Sequence, residues 1–109
     1  MSFHILVAED DEIMRITVVD HLRARGWQVE AAEDGLKALE LVKRNSYQLL
    51  LSDIRMPGLD GEALLAEAKL QAPSTEVIIM TAHGNTDNAV NCLKLGAADY
   101  IQKPFDLDD

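Results

Sequence analysis

Carboxylate, hydroxyl and ammonium groups follow short apolar runs at four places along the chain. In chain order they belong to Glu9, Asp10, Asp53, Thr81 and Lys103. Carboxylates that share one site repel one another, so the site needs a compensating cation. Oxygen ligands with no His or Cys nearby favour a hard ion, and Mg²⁺ fits best where phosphate oxygens complete its shell. With a lysine close by, such a site suits phosphoryl transfer, and an aspartate can serve as the nucleophile.

The apolar runs alternate with amphipathic stretches of about a dozen residues, which indicates strands alternating with helices. The runs are Ile5–Ala8, Leu49–Leu51, Val77–Met80 and, more weakly, Trp27–Ala31 and Asp99–Ile101. Continuous apolar runs are typical of parallel strands that are covered on both faces. We therefore predict the order β-α-β-α-β-α-β-α-β, an α/β fold with a doubly wound five-stranded parallel sheet. In such sheets function collects at the carboxyl ends of the strands, which brings the reactive side chains to one edge.

Apolar residues recur at helical spacing between the strands and are predicted to face the sheet. The four stripes are Ile16, Val19 and Leu22; Leu36, Leu39 and Val42; Leu64, Leu65 and Ala68; and Ala89, Val90 and Leu93. Gly26 and Gly96 stand where helices favour a glycine after their last turn. Asp60 and Asn85 are candidate N-caps, and we expect Cys92 to pack on a helix face.

The chain length and the net charge exclude several classes of protein. The 109 residues suffice for one domain, and 19 acids against 10 bases give a net charge of −9. This balance argues against direct contact with nucleic acid or with anionic membranes. The sequence has no apolar run of the ~20 residues that span a bilayer and no evident export signal. A single cysteine fits a reducing compartment, so we expect a cytoplasmic domain.

Four segments, in order, resemble the receiver domain of two-component response regulators. They are Ile5–Asp11 with Arg15, Leu51–Gly61, Met80–Ala82 and Lys103–Phe105. The resemblance covers Ile5 to about Asp108 and implies a flavodoxin-like sheet of strand order 2-1-3-4-5. Because the last helix of such a fold would be missing or truncated, we expect residues 1–109 to be one receiver domain at the N-terminus of a longer response regulator. Two stretches are most similar to receivers of AAA+ enhancer-binding transcription activators, namely Met80–Asp87 and Gly96–Asp106.

The resemblance assigns a phosphoacceptor and a metal site. Asp53 would take a phosphoryl group from the phosphohistidine of a histidine kinase. Asp10 would bind Mg²⁺ directly, and Glu9 either directly or through water, while Asp53 and the main-chain carbonyl of Arg55 would complete the protein ligands. Mn²⁺ is a possible substitute for Mg²⁺. Glu9 is a mild departure from the family, in which aspartate is also common at this position.

The resemblance also assigns the groups that bind the phosphoryl oxygens and respond to them. Thr81 and Lys103 would each contact a phosphoryl oxygen, helped by the N–H of Ala82 and that of Ile54 or the residue after it. Tyr100 would change rotamer with Thr81 and so link phosphorylation to the face formed by the fourth helix and fifth strand.

The implied function is a phosphorylation-controlled switch in a phosphorelay and not a metabolic enzyme, although the domain would catalyse its own phosphotransfer and slow dephosphorylation. The partners would be a sensor histidine kinase and, after phosphorylation, a second receiver in a homodimer. The output would be transcription regulation through a domain outside this chain, for example an AAA+ ATPase with a helix-turn-helix.

Three alternatives remain open from the sequence. An aspartyl phosphatase would place its nucleophile in an Asp-x-Asp after the first strand, a spacing that Glu9 and Asp11 imitate, but Asp53 would then be unexplained. A flavodoxin-like cofactor binder needs a donor-rich phosphate loop where this chain has four acids. A degenerate receiver would bind proteins without being phosphorylated, and the complete set of reactive residues argues against it.

Overall fold

The computed structural model describes residues 3–81 and 86–102, without the side chains of 86–89 and 102. Over these residues the strands are β1 (His4–Ala8), β2 (Gln28–Ala32), β3 (Leu49–Asp53), β4 (Glu76–Thr81) and β5 (Asp99–Gln102). The helices between them are α1 (Glu12–Ala24), α2 (Gly35–Arg44), α3 (Gly61–Gln71) and α4 (Thr86–Lys94). The predicted alternation is confirmed over the described residues, which end at the last residue of β5.

All neighbouring strands are parallel, and the sheet order is β2-β1-β3-β4-β5. This order confirms the predicted doubly wound fold. The connection from β1 goes to β2 on one side, whereas the chain then returns past β1 to form β3 on the other. The carboxyl ends of β1 and β3 therefore lie side by side, with Ala8 opposite Ser52. This is the position at which doubly wound sheets form their binding sites.

Apolar side chains fill both faces of the sheet. On the α1 side the buried residues are Ile5, Val7, Val18, Val19, Val29, Leu51 and Met80. On the side of α2, α3 and α4 a larger cluster includes Leu6, Leu50, Leu64, Leu65, Val77, Ile79 and Cys92. The central strands β1, β3 and β4 contribute to both clusters, which is why their sequences are continuously apolar.

The predicted apolar stripe is confirmed for α3, in which Leu64, Leu65 and Ala68 are fully buried, and is only partly correct elsewhere. In α1 the core residues are Val18 and Val19, while Ile16 is 50% exposed. The face of α1 that packs against the sheet carries Met14, Val18, Val19 and Leu22, and Ile16 lies on the other side of the helix.

The predictions for α2 and α4 also need correction. Leu36 is 60% exposed because it lies in the first turn of α2, where its neighbour is the loop residue Gly58 rather than the sheet. Among the α4 side chains that the structure describes, that of Cys92 is fully buried and those of Val90 and Leu93 are each more than a third exposed, whereas the predicted stripe residue Ala89 has no described side chain. Burial raises the pKa of the Cys92 thiol to about 11, with a smaller contribution from nearby acids.

The predicted helix ends are confirmed where the structure describes them. Gly26 and Gly96 have φ of 91° and 114°, a left-handed conformation that glycine adopts at low cost. The Asp60 side chain accepts a hydrogen bond from the Ala63 N–H and caps α3. The predicted cap Asn85 lies outside the described residues. Within the described ranges, no helix has both the length and the apolar composition needed to cross a bilayer.

A polar cluster joins the strands near the opposite end of the sheet from the reactive side chains. The Tyr47 hydroxyl donates a hydrogen bond to the Glu30 carboxylate on β2, and Asn45 Nδ2 donates to the same hydroxyl at 3.3 Å. The His4 ring lies 4.6 Å from the Tyr47 ring. Burial, followed by the hydrogen bond to Glu30, raises the pKa of Tyr47 to about 12. This cluster ties β1, β2 and the segment before β3 together, away from the candidate site.

Candidate functional site

Three carboxylates from the tips of β1 and β3 meet at one edge of the sheet. One oxygen from each of Glu9, Asp10 and Asp53 lies within 4.8 Å of the other two. Glu9 is fully buried and Asp53 is 9% exposed, whereas Asp10 is exposed to solvent. The cluster therefore has a buried floor and an open side, through which a cation or a phosphoryl donor can approach.

The donor set suits a hard divalent cation. All three ligating groups are carboxylate oxygens, which Mg²⁺ prefers over nitrogen or sulfur ligands. Withdrawing the Glu9 charge from water costs free energy, and a second and third negative charge beside it add to that cost. A bound Mg²⁺ would offset both. The residues predicted from the sequence to hold the metal are thus brought together, apart from the carbonyl of Arg55, whose position as a ligand stays a prediction.

The main chain fixes the position of Asp53. The residue ends β3, opposite Met80 of β4, and its carboxylate Oδ1 accepts a hydrogen bond of 2.9 Å from the Ile54 N–H. The same N–H lies 3.2 Å from the Met80 carbonyl oxygen. The Ile54 amide was predicted as one donor to a phosphoryl oxygen, and in this structure it binds the carboxylate of the acceptor residue itself.

The start of α3 is packed directly against this strand end. The Gly61 N–H donates to the Ile54 carbonyl at 2.6 Å. A Cβ added at Gly61 would lie 2.3 Å from the Asp53 carbonyl oxygen and 2.7 Å from Ile54 Cα, both main-chain atoms. Only a residue without a side chain fits this approach. Gly61 belongs to one of the receiver-like motifs, but its role was not predicted, because the contact depends on how α3 docks.

The loop between β1 and α1 carries Glu9 and Asp10 and is held at several points. Asp11 caps α1, its side chain accepting hydrogen bonds from Ile13 and the following N–H group. Arg15 Nη1 donates to the Glu9 carbonyl at 2.9 Å and lies 3.5 Å from the Asp10 carbonyl oxygen. This contact was not predicted. The sequence signal for it was a basic residue in the first turn of a helix, where the helix dipole disfavours a cation.

An open pocket of about 550 Å³ adjoins the acid cluster. Its lining residues are Asp10, Glu12, Arg15, Glu33, Asp34 and Pro57. The pocket therefore extends from the β1–α1 loop across the starts of α2 and the β3–α3 loop. Four of these six residues are acidic, so the mouth of the site attracts cations. It repels an anion unless a cation accompanies that anion.

The structure places some of the remaining predicted site residues and leaves others undescribed. Thr81 is the last residue of β4, fully buried and one position beyond Met80, the neighbour of Asp53. Tyr100 on β5 is opposite Ile79 and packs partly buried against the larger core cluster.

For the other predicted groups the structure gives no distances to the acid cluster. Arg55 directly follows Ile54 and is exposed. Lys103 and Ala82 lie outside the described residues, so their assigned roles stay predictions.

The geometry of the acids, the sheet order and the sequence motifs agree with one protein family. The family profile described as "Response regulator receiver domain" matches residues 5–109. The chain belongs to this family. The receiver is 44% identical over 103 residues to the DNA-binding transcriptional regulator NtrC of Escherichia coli K12, and 38% identical over 106 residues to the response regulator protein FleR of Pseudomonas aeruginosa.

These alignments cover 94% and 97% of the receiver but only 22% of each relative, so the chain spans less than a quarter of their length. Solved structures agree over the whole domain. A response regulator receiver domain protein from Clostridium thermocellum matches with a TM-score of 0.93 and 32% identity, covering 100% of the receiver and 87% of that chain. The receiver domain of NtrX from Brucella abortus matches with a TM-score of 0.91 and 38% identity, covering 95% of the receiver and 88% of that chain.

These findings confirm several predictions from the sequence. The chain is a receiver domain of the response regulators of phosphorelay signalling, and its relatives include the transcriptional regulators named above. The resemblance to receivers of enhancer-binding activators is confirmed by the same relatives. Membership of this family sets the chain apart from metabolic enzymes, which leaves the phosphatase and flavodoxin alternatives without support.

Proposed function

We propose that this receiver accepts a phosphoryl group on Asp53 in a Mg²⁺-dependent reaction. The donor is the phosphohistidine of a sensor histidine kinase, and a small donor such as acetyl phosphate can replace it. With phosphohistidine the P–N bond breaks, a P–O bond to an Asp53 carboxylate oxygen forms, and the imidazole leaves with a proton. The observation that carries this proposal is the meeting of Glu9, Asp10 and Asp53 within 4.8 Å.

The residues of the site have distinct roles in this reaction. Glu9 and Asp10 hold the cation together with Asp53 and the main-chain carbonyl of Arg55. Bound Mg²⁺ would neutralise the carboxylates and the phosphoryl oxygens, which removes the repulsion between nucleophile and donor. The hydrogen bond from Ile54 orients the Asp53 carboxylate. Slow hydrolysis of the resulting acyl phosphate by the same site returns the domain to its starting state.

Phosphorylation then changes the contacts of the neighbouring strand tips. Thr81 and Lys103 each bind a phosphoryl oxygen, the first through its hydroxyl and the second as a positive charge. Because Thr81 is buried beside Met80, its hydroxyl must turn toward the new group. Tyr100 follows into the space that this movement opens, and the face formed by α4 and β5 changes shape. Support for this proposal comes from the burial of Thr81 and the packing of Tyr100 on the same side of the sheet as Cys92 of α4.

We further propose that residues 1–109 act within a longer cytoplasmic response regulator. The output is transcription regulation, as in the DNA-binding transcriptional regulator NtrC, through an AAA+ ATPase and helix-turn-helix outside this chain. A sensor histidine kinase supplies the phosphoryl group, and the phosphorylated receiver forms a homodimer. With a net charge of −9, the receiver itself makes no direct contact with nucleic acid or membrane.

Intact-mass measurement after incubation with acetyl phosphate and Mg²⁺ tests the proposal. We expect one added phosphoryl group on the wild-type protein and none on Asp53→Asn. Asp11→Asn is the matched control, since it makes the same chemical change at an exposed neighbouring acid that caps α1, and it should be labelled like wild type. Removal of Mg²⁺ by a chelator should abolish labelling, and Lys103→Ala should weaken the response. Labelling of Asp53→Asn to the wild-type extent would show that the nucleophile is another residue.

A further inference from the structure

The main chain that carries the two metal-binding acids of the β1–α1 loop is held from both sides. The Glu9 N–H donates to the Ala32 carbonyl of β2 at 3.1 Å, and the Glu9 carbonyl accepts from Arg15 Nη1 at 2.9 Å. The guanidinium also reaches the Asp10 carbonyl oxygen at 3.5 Å. Both peptide groups beside the Glu9 Cα are thereby fixed relative to the sheet and to α1.

We propose that Arg15 is a positioning residue for Mg²⁺ binding, acting through Glu9 and Asp10. The inference rests on the proposed Mg²⁺-dependent function and adds a residue to it. Arg15 bonds main-chain carbonyls, so these bonds occupy none of the carboxylate lone pairs that a metal requires. Both contacts come from the same nitrogen, Nη1, so one end of the rigid guanidinium serves two neighbouring carbonyls, and a lysine ammonium on its flexible stem is less well preorganised to do so.

The place of Arg15 on α1 supports a role in the site rather than in the helix. α1 starts at Glu12, so Arg15 lies in its first turn, where the helix dipole favours acids and disfavours cations. The other two residues at this end, Asp11 and Glu12, follow that preference. The guanidinium is the basic group in the lining of the acidic pocket, and this surrounding negative charge offsets the unfavourable dipole.

Arg15 has two effects on a bound cation, and they have opposite signs. Its positive charge repels Mg²⁺, so removing the charge alone would tighten binding. Its hydrogen bonds hold the loop of Glu9 and Asp10 in place, so losing them would weaken binding. Groups that orient metal ligands through such outer contacts change metal affinity by roughly 10- to 100-fold when they are replaced. The positioning effect therefore predicts a net loss of affinity.

The test is titration calorimetry of Mg²⁺ into the metal-free 109-residue protein. Arg15→Met keeps most of the apolar stem but has no donor and no charge, and we expect it to bind Mg²⁺ about tenfold more weakly than wild type. Arg23→Met is the matched control, because Arg23 lies at the other end of α1 and its Nη2 donates to the Val29 carbonyl at 2.7 Å. That variant loses the same charge and the same kind of hydrogen bond, and its Mg²⁺ affinity should stay within twofold of wild type.

Phosphorylation by acetyl phosphate gives a second measurement. Since Arg15 acts through Glu9 and Asp10, Arg15→Met should need a higher Mg²⁺ concentration for half-maximal labelling, and its rate at saturating Mg²⁺ should approach that of wild type. Arg15→Lys keeps the charge and an N–H donor, but on a shorter and more flexible side chain. It should bind Mg²⁺ with an affinity between those of wild type and Arg15→Met. If Arg15→Met does not fold, Arg15→Lys takes its place in the test.

The outcomes separate this inference from the proposed function. Mg²⁺ binding by Arg15→Met or Arg15→Lys as tight as wild type, or tighter, would overturn the positioning role while leaving phosphorylation of Asp53 intact. An equal loss in Arg15→Met and Arg23→Met would also overturn it, since the effect would then come from a loosened α1. Failure of the wild-type protein to bind Mg²⁺ or to be labelled would refute the proposed function, and the role of Arg15 with it.

Discussion

Replacement of Asp53 by asparagine should stabilise the metal-free protein, although Asp53 is the proposed nucleophile. The substitution keeps the shape of the side chain and removes one negative charge from the cluster. At the 4.8 Å limit of the cluster, two unit charges repel by about 3.5 kcal/mol at an effective dielectric constant of 20. This value suits the pair of Asp53 with buried Glu9, whereas the repulsion by exposed Asp10 is screened by water and adds little.

The gain is smaller than the repulsion alone. The Ile54 N–H donates to the Asp53 carboxylate, and a neutral amide oxygen accepts that hydrogen bond less strongly, which costs about 1 kcal/mol. A net stabilisation of about 2 kcal/mol raises the Tm of a domain of this size by about 8 °C. The assay is thermal unfolding followed by circular dichroism in the presence of a chelator, with Asp11→Asn as the control.

Added Mg²⁺ should narrow the difference in Tm between the two proteins. At a concentration ten times its Kd, a ligand of the folded state stabilises by about 1.4 kcal/mol. Wild type should show this rise in Tm, whereas Asp53→Asn, with one ligand charge fewer, should show a smaller one. If Asp53→Asn and Asp11→Asn unfold at the same temperature without metal, or if Mg²⁺ leaves the wild-type Tm unchanged, the carboxylates do not form one coupled site.

Three further predictions concern the fold around the site. Gly61→Ala should lower the free energy of unfolding by about 3 kcal/mol or more in chemical denaturation, because its Cβ would collide with the main chain of Ile54 and the residue before it. Tyr47 has a folded-state pKa of about 12 against its ordinary 10.0, so its contribution to stability should be complete below pH 10 and lost as the pH rises toward 12. Tyr47→Phe should flatten that part of the stability profile. Cys92, fully buried and with its pKa raised to about 11, should react with a disulfide reagent at pH 8 only after denaturant is added.

Each of these measurements has a result that would contradict it. Gly61→Ala with wild-type stability would mean that α3 docks less closely on β3 than described. Equal loss of stability between pH 10 and 12 in wild type and Tyr47→Phe would place the titration elsewhere. Rapid modification of Cys92 in the native protein would show that α4 opens readily from the core.

The sheet and the acid cluster could be predicted from local sequence. Four of the five apolar runs are followed by a residue able to do chemistry, and parallel strands bring those ends to one edge, so the meeting of Asp10 and Asp53 followed from pattern and topology. Strand ends were less certain. Asp53 and Thr81 were expected just after their strands, and they are the last residues within them.

Tertiary docking accounts for what the sequence did not predict. Ile16 and Leu36 fit an apolar stripe as well as Val19 and Val42 do. Which of these side chains is buried depends on where each helix crosses the twisted sheet. The bond from Arg15 joins a side chain to the Glu9 main-chain carbonyl, and the unusual place of a basic residue at the start of α1 does not by itself identify that partner.

The acids that form the site are neighbours in space because β1 and β3 lie side by side, although the β2–α2 unit separates them in the chain. A nascent chain of residues 1–48 therefore contains Glu9 and Asp10 but not Asp53. In the proposed mechanism, competence for phosphorylation is gained only when β3 docks beside β1. Labelling by acetyl phosphate would therefore report that docking, and it can follow the refolding of this domain without any optical probe.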